Sequence, residues 1–194
     1  MHNKHGALTQ MERFEMCWLK KYIFGFFLLV TLIPNVNTRD FGRPVDSEEI
    51  KLWDIDVRPD GKGLLAGSGS VMQGKKVFEA NCLACHGEGG VGGIKNQLVG
   101  GIGSLTSEKP LLTVGSYWPY ATTLFDYIHR AMPYQAPGTL SINDTYAVTA
   151  YILNLNGIVP NDIELNRNSL PKIKMPNQDG FVVDKEFIKF MHSR

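Results

Sequence analysis

Cys82-Leu83-Ala84-Cys85-His86 follows directly on Ser70-Val71-Met72-Gln73-Gly74-Lys75-Lys76-Val77-Phe78-Glu79-Ala80-Asn81. The longer stretch is amphipathic at helical period. Val71, Gly74, Val77 and Phe78 share one face, and Lys75, Lys76 and Glu79 lie on the others. The spacing predicts a helix over 71–81 that runs into the pentapeptide. C-x-x-C-H is the attachment signature of c-type haem. On one helical turn, positions i and i+3 face the same side, so two thiols can reach the two vinyl groups of one porphyrin. His86, the next residue, then projects its imidazole at the iron. Chance yields such a pentapeptide in only on the order of one in a thousand chains of this length.

Two rival chemistries need partners that the sequence lacks. A zinc site wants two further ligands at short spacing, and no second C-x-x-C or H-x₃₋₅-H occurs. A thioredoxin-type redox pair wants a hydrophobic strand in front of it, where this chain has an amphipathic helix. Nor can two cysteines three apart staple a domain as a disulfide framework does. Cys82 and Cys85 act locally.

An iron held by His86 has a sixth position, and Met132 is the candidate for it. It lies 46 residues after His86, in a loop stiffened by Pro133 and Pro137. A thioether is neutral and soft, so it favours ferrous iron and raises the potential relative to a second histidine. The competing reading of any methionine among apolar residues is core filler. Met72, on the approach helix, and Met175, in a polar tail, are the internal controls. His129, three residues before Met132, is the rival ligand; its simpler reading is a helix-end histidine facing solvent or a propionate.

Composition bounds the rest. With 194 residues, 43% hydrophobic, 20% charged, twenty glycines and ten prolines, the chain suits one compact domain with extended flanks. Twenty basic against nineteen acidic residues argues against a nucleic-acid binder, which needs a basic stripe. Lys20-Lys21 precede an apolar run from Tyr22 to Ile33, and Pro34 ends it. That run has the length of a signal-peptide core and falls short of the roughly 20 residues needed to span a bilayer. Residues 1–37 therefore read as a signal peptide, with Met16 (or Met11) offering a more conventional start than Met1. The expectation is an exported, periplasmic protein with no stable membrane span. Cys17 leaves with the signal, and the remaining net charge is about −1, too small for general electrostatic steering.

The order of elements predicts an all-α domain over 70–157. A glycine-rich loop, Gly87 to Gly93, lets backbone approach the porphyrin, and Leu98 and Leu105 are expected to pack at its edge. A helix over 121–131 follows Tyr117-Trp118-Pro119-Tyr120, whose aromatics either donate to haem propionates or form ordinary core. The last helix, 142–156, has Ser141 as N-cap and Asp144 three residues on. Gly157 ends it, with Pro160 behind. Gly74 and Phe78 fit Tyr151, so the first and last helices can cross closely. The flanks, 38–69 and 158–194, are too long for connections and too apolar for disorder. They are expected to wrap a partner protein in preference to draping over their own domain.

Gly74-x-x-x-Phe78, Cys82-x-x-Cys85-His86, Met132 and a terminal helix carrying Tyr151 resemble class I cytochrome c, which implies that fold with extended N- and C-terminal flanking arms. A narrower resemblance rests on six further stretches. They are Phe41-Gly-Arg-Pro44, Trp53-Asp-Ile-Asp-Val-Arg-Pro-Asp-Gly61, Gly67-Ser-Gly-Ser70, Val114-Gly-Ser-Tyr-Trp-Pro-Tyr120, Arg130-Ala-Met-Pro133 and Ala150-Tyr-Ile-Leu-Asn-Leu-Asn-Gly157. With Met175-Pro-Asn177, these are similar to the SoxD cytochrome subunits of the sulfane (sulfite) dehydrogenases of bacterial Sox thiosulfate oxidation. The resemblance implies one covalent haem c on Cys82 and Cys85, with His86 and Met132 on its iron. It also implies a SoxC-like molybdenum-cofactor dehydrogenase subunit as partner, and a soluble cytochrome c as electron acceptor. On that reading the chain has no catalytic residue of its own. Two departures stand. Some members carry a second haem domain, and one haem motif is present here. The proline whose carbonyl commonly orients the proximal histidine is replaced by the stretch Lys95-Asn96-Gln97. The alternatives are a free-standing periplasmic cytochrome c shuttle and a haem sensor or small haem enzyme with an open iron position.

Overall fold

Ser70 caps the helix that leads to the haem motif. Its hydroxyl accepts the Gln73 N–H at 3.3 Å, while the Gln73 side chain accepts the Ser70 N–H at 2.9 Å. Two of the otherwise orphaned amides of the first turn are thereby satisfied. The structure, a computed structural model, describes residues 42–182, 184–186 and 189. The signal segment and Cys17 lie outside the described residues. The chain divides into two compact units, residues 1–50 and 51–194.

A short helix, α1 (Ser47–Trp53), begins where Asp46 accepts the Glu49 N–H, and it buries none of its residues. The helices of the larger unit are α2 (Val71–Asn81), α3 (Leu83–His86), α4 (Ala121–Ala131) and α5 (Ile142–Leu155). Helices α2 and α4 occupy the predicted spans, and α5 stops one residue short of its own. At its start, Ser141 accepts the Asp144 N–H at 3.0 Å. At its end, Gly157 takes φ +69°, its N–H reaches Asn154 and that of Ile158 reaches Leu153, the paired bonds of a Schellman stop.

Helices α2 and α5 cross at Gly74. A methyl group there would overlap the Ala147 carbonyl and crowd Tyr151, so only glycine allows this approach. One turn on, the Phe78 and Tyr151 rings meet at 5.4 Å. Phe125 of α4 packs on Tyr146 of α5 at 4.4 Å, joining the third helix to the same core.

Two findings go beyond the all-helical expectation. Ser68–Ser70 (β1) pairs antiparallel with Glu164–Asn166 (β2), with Gly69 opposite Leu165. The pair lies on α5, for a side chain at Gly69 would strike the Ala147 backbone. Second, parts of both flanks, from Val57 onward and through the C-terminal segment, pack into their own domain. Val57 is buried and its N–H meets Asp126 at 3.2 Å, while the Tyr146 hydroxyl donates to the Leu65 carbonyl at 2.9 Å. Val159, Leu165, Leu170 and Met175 of the C-terminal flank are all core residues. The apolar residues of that flank are spaced just widely enough for an irregular chain to insert them one at a time. Met175, expected in a polar tail, is 0% exposed, whereas Met72 is 75% exposed.

Candidate haem site

The attachment turn starts where α2 stops. Cys82 leaves helical geometry at φ −122°, its N–H still bonded to Phe78 at 2.8 Å. Its carbonyl then accepts the Cys85 and His86 amides at 3.1 and 2.9 Å, winding one further turn. Cys82 and Cys85 are both free thiols, partly buried, three residues apart on that turn. Burial, with Cys85 beside it, pushes the Cys82 thiol up to about 11, so it stays protonated near neutral pH.

His86 is oriented by a backbone acceptor. Its Nδ1 lies 2.9 Å from the Asn96 carbonyl oxygen. A carbonyl only accepts, so Nδ1 carries the proton and Nε2 keeps its lone pair for a metal. The stretch 95–97 replaces the usual proline, and within it Asn96 supplies the acceptor. Sequence reasoning located the stretch and not the residue, because every residue has a carbonyl and only the loop path selects one. That path is backbone against backbone. The Lys95 N–H donates to Cys85 at 2.9 Å, and Leu98 donates to Gly90 at 2.9 Å. Gly87 has φ +78° and ψ 172°, a region essentially restricted to glycine, and a Cβ there would overlap the Val91 carbonyl.

Met132 caps the C-terminal end of α4, partly buried, and packs against the core. Three residues on, the Gln135 amide reaches the Cys85 sulfur at 3.9 Å, which brings the Met132 loop to the attachment turn across fifty positions of sequence. No sequence signal singled out Gln135. His129, expected at the helix end facing solvent or a propionate, is partly buried there. Its ring stacks on Phe125 at 6.0 Å, and Nδ1 is buried without a hydrogen-bond partner. Leu98 packs against the core, and Leu105 is partly buried. The aromatic segment before α4 holds the C-terminal flank. Tyr117 meets Phe181 at 5.4 Å and its carbonyl accepts from Asn177 at 2.8 Å, while Trp118 packs edge-on against Tyr127.

The residues fit a covalent haem c. Two unpaired thiols share one turn, an imidazole beside them has a fixed tautomer, and glycines admit close approach of the backbone. Among the described residues, no group of three His, Cys, Asp or Glu side chains is placed to hold a metal ion.

Comparisons with known proteins agree. Residues 69–152 match the family model of cytochrome c oxidase, cbb3-type, subunit III. Fold, motif and match together define a c-type cytochrome with covalently bound haem c, an electron-transfer protein. Among solved structures, the chain is similar to one in the crystal structure of the sulfane dehydrogenase SoxCD from Paracoccus pantotrophus. The identity is 42% and the TM-score 0.69, covering 80% of this chain and 78% of that one. The chain belongs to the family of SoxD-like cytochromes. No curated protein sequence matches it.

Proposed function

We propose that this chain is the electron-transfer subunit of a sulfane dehydrogenase, receiving electrons from a SoxC-like molybdenum subunit during thiosulfate oxidation. The observation that carries this is the 42% identity to a chain of SoxCD over 80% of the length, beside the cytochrome family-model match over 69–152, which contains the haem turn. Cys82 and Cys85 attach the haem, and His86 and Met132 ligate its iron. When bound, haem c supplies a one-electron couple, so electrons released in pairs by a sulfur oxidation leave singly. His86 presents Nε2, and the Asn96 carbonyl on Nδ1 increases the basicity of the ring and stabilises ferric iron. The Met132 thioether works the other way, favouring ferrous iron. The chain itself performs no catalysis. It is exported to the periplasm by residues 1–37 and passes electrons to a soluble cytochrome c. Among the described residues, no helix is long and apolar enough to cross a membrane.

A free shuttle is the second reading. It predicts a monomer, and because Leu165, Leu170 and Met175 belong to the chain's own core, trimming the C-terminal flank tests folding and does not separate the two readings. The test is iron and molybdenum content across a size-exclusion profile of native periplasmic extract, with this chain followed by antibody. Molybdenum co-eluting with haem iron at a size well above the subunit is the expected result. Iron alone at monomer size, under gentle conditions, would favour the shuttle. N-terminal sequencing of the same material is expected to start near residue 38.

A further inference from the structure

The loop that supplies the Asn96 carbonyl is held by the Val114 N–H on the Leu98 carbonyl at 3.3 Å, by the Thr113 hydroxyl on the Gly100 carbonyl at 2.6 Å, and by one side chain from the far end of α5. Asn156, 8% exposed, closes that helix. Its Nδ2 donates to the Leu98 carbonyl at 3.2 Å and to the Ile152 carbonyl at 2.9 Å. Its Oδ1 accepts the Gly100 N–H at 3.2 Å. One carboxamide therefore brackets Val99 from both sides, donating before it and accepting after it, as a neighbouring strand would. Only an amide does both; a carboxylate lacks the donor and an aliphatic side chain lacks both. Gly115 leaves room for it, since a Cβ there would overlap the Asn156 side chain. Leu98 is two residues from Asn96, and Asn96 holds His86 at 2.9 Å.

We propose that Asn156 is a positioning residue for the haem, holding the 95–100 loop so that the Asn96 carbonyl stays on Nδ1 of His86. This rests on the reading of His86 as iron ligand. Asn156 touches neither the iron nor His86; it acts through the loop. Releasing the loop weakens the bond to Nδ1, makes the imidazole a poorer donor and favours ferrous iron.

The neighbouring Asn154 provides the control. It sits two residues earlier on the same helix end, but its amide donates to the Val159 carbonyl at 2.9 Å, on the C-terminal flank. In the haem-loaded protein, Asn156→Leu is expected to raise the ferrous-to-ferric ratio at a fixed poise by roughly tenfold, the direction following from a less basic imidazole. The His86 Nδ1 proton should also exchange faster with solvent by NMR. Asn154→Leu is expected to lower stability comparably and to leave both readouts at parent values. Should Asn156→Leu fail to fold, Asn156→Asp keeps the shape and the acceptor and is expected to shift both in the same direction. Equal potentials and equal proton exchange in Asn156 and Asn154 variants would overturn the proposal. A parent protein showing no histidine-ligated haem would instead overturn the ligand reading beneath it.

Discussion

One side of this protein is held by side chains and the other by backbone. Around the crossing of α2 and α5, Phe78, Tyr146, Leu153, Leu165, Leu170 and Met175 are almost wholly withdrawn from solvent. Between His86 and Leu112, by contrast, Gly90 is the one buried residue. There the chain is fixed by amide–carbonyl bonds, by glycines in the left-handed region and by the Asn156 carboxamide. Apolar packing makes a rigid platform because density is insensitive to which atom is donor or acceptor. A ligand loop has the opposite need, since one carbonyl must meet one ring nitrogen, and hydrogen bonds supply that direction.

The largest expected effect lies on the packed side. Met175→Ala should cost about 2–5 kcal/mol, as deletion of a buried large side chain does. Chemical denaturation checks it, and a cost near zero would return the C-terminal flank to the role of a free arm. On the hydrogen-bonded side, Gly87→Ala should cost about 1–3 kcal/mol of local strain. Its signature is reduced haem loading of a chain that still shows parent helicity by circular dichroism.

The smallest effect comes from one bond joining the N-terminal flank to the platform. Tyr146→Phe removes the donor to Leu65 and should cost about 1 kcal/mol near neutral pH. Burial also pushes the Tyr146 phenol from 10.0 up to about 12. The folded state therefore keeps a proton that the unfolded state loses above 10, and stability falls as pH rises from there toward 12. The parent should lose more stability than Tyr146→Phe across that window in alkaline denaturation curves.

The same division explains what could be read in advance. Helices α2 and α5 carry apolar stripes behind serine N-caps, and the spans of α2, α4 and α5 were legible nearly to the residue. Gly74, Phe78 and Tyr151 even announced the crossing, because close packing demands a missing side chain beside a large one. The strands were not legible, since three residues are too few to show alternation. Met175 was misplaced because an irregular segment buries residues singly, and single insertions leave no period. At the haem site, the cysteines and His86 stand in a fixed motif. Asn96 acts through its backbone and Asn156 through a turn over fifty residues away, so neither carries a local signature.

His86 and Met132 would hold the haem iron together, and Met132→His tests that pairing most directly. A redox titration of the haem-loaded variant against the parent should show a lower potential, with both thioether bonds intact by mass spectrometry. An unchanged potential would mean that Met132 is not a ligand and that the sixth position belongs to another group.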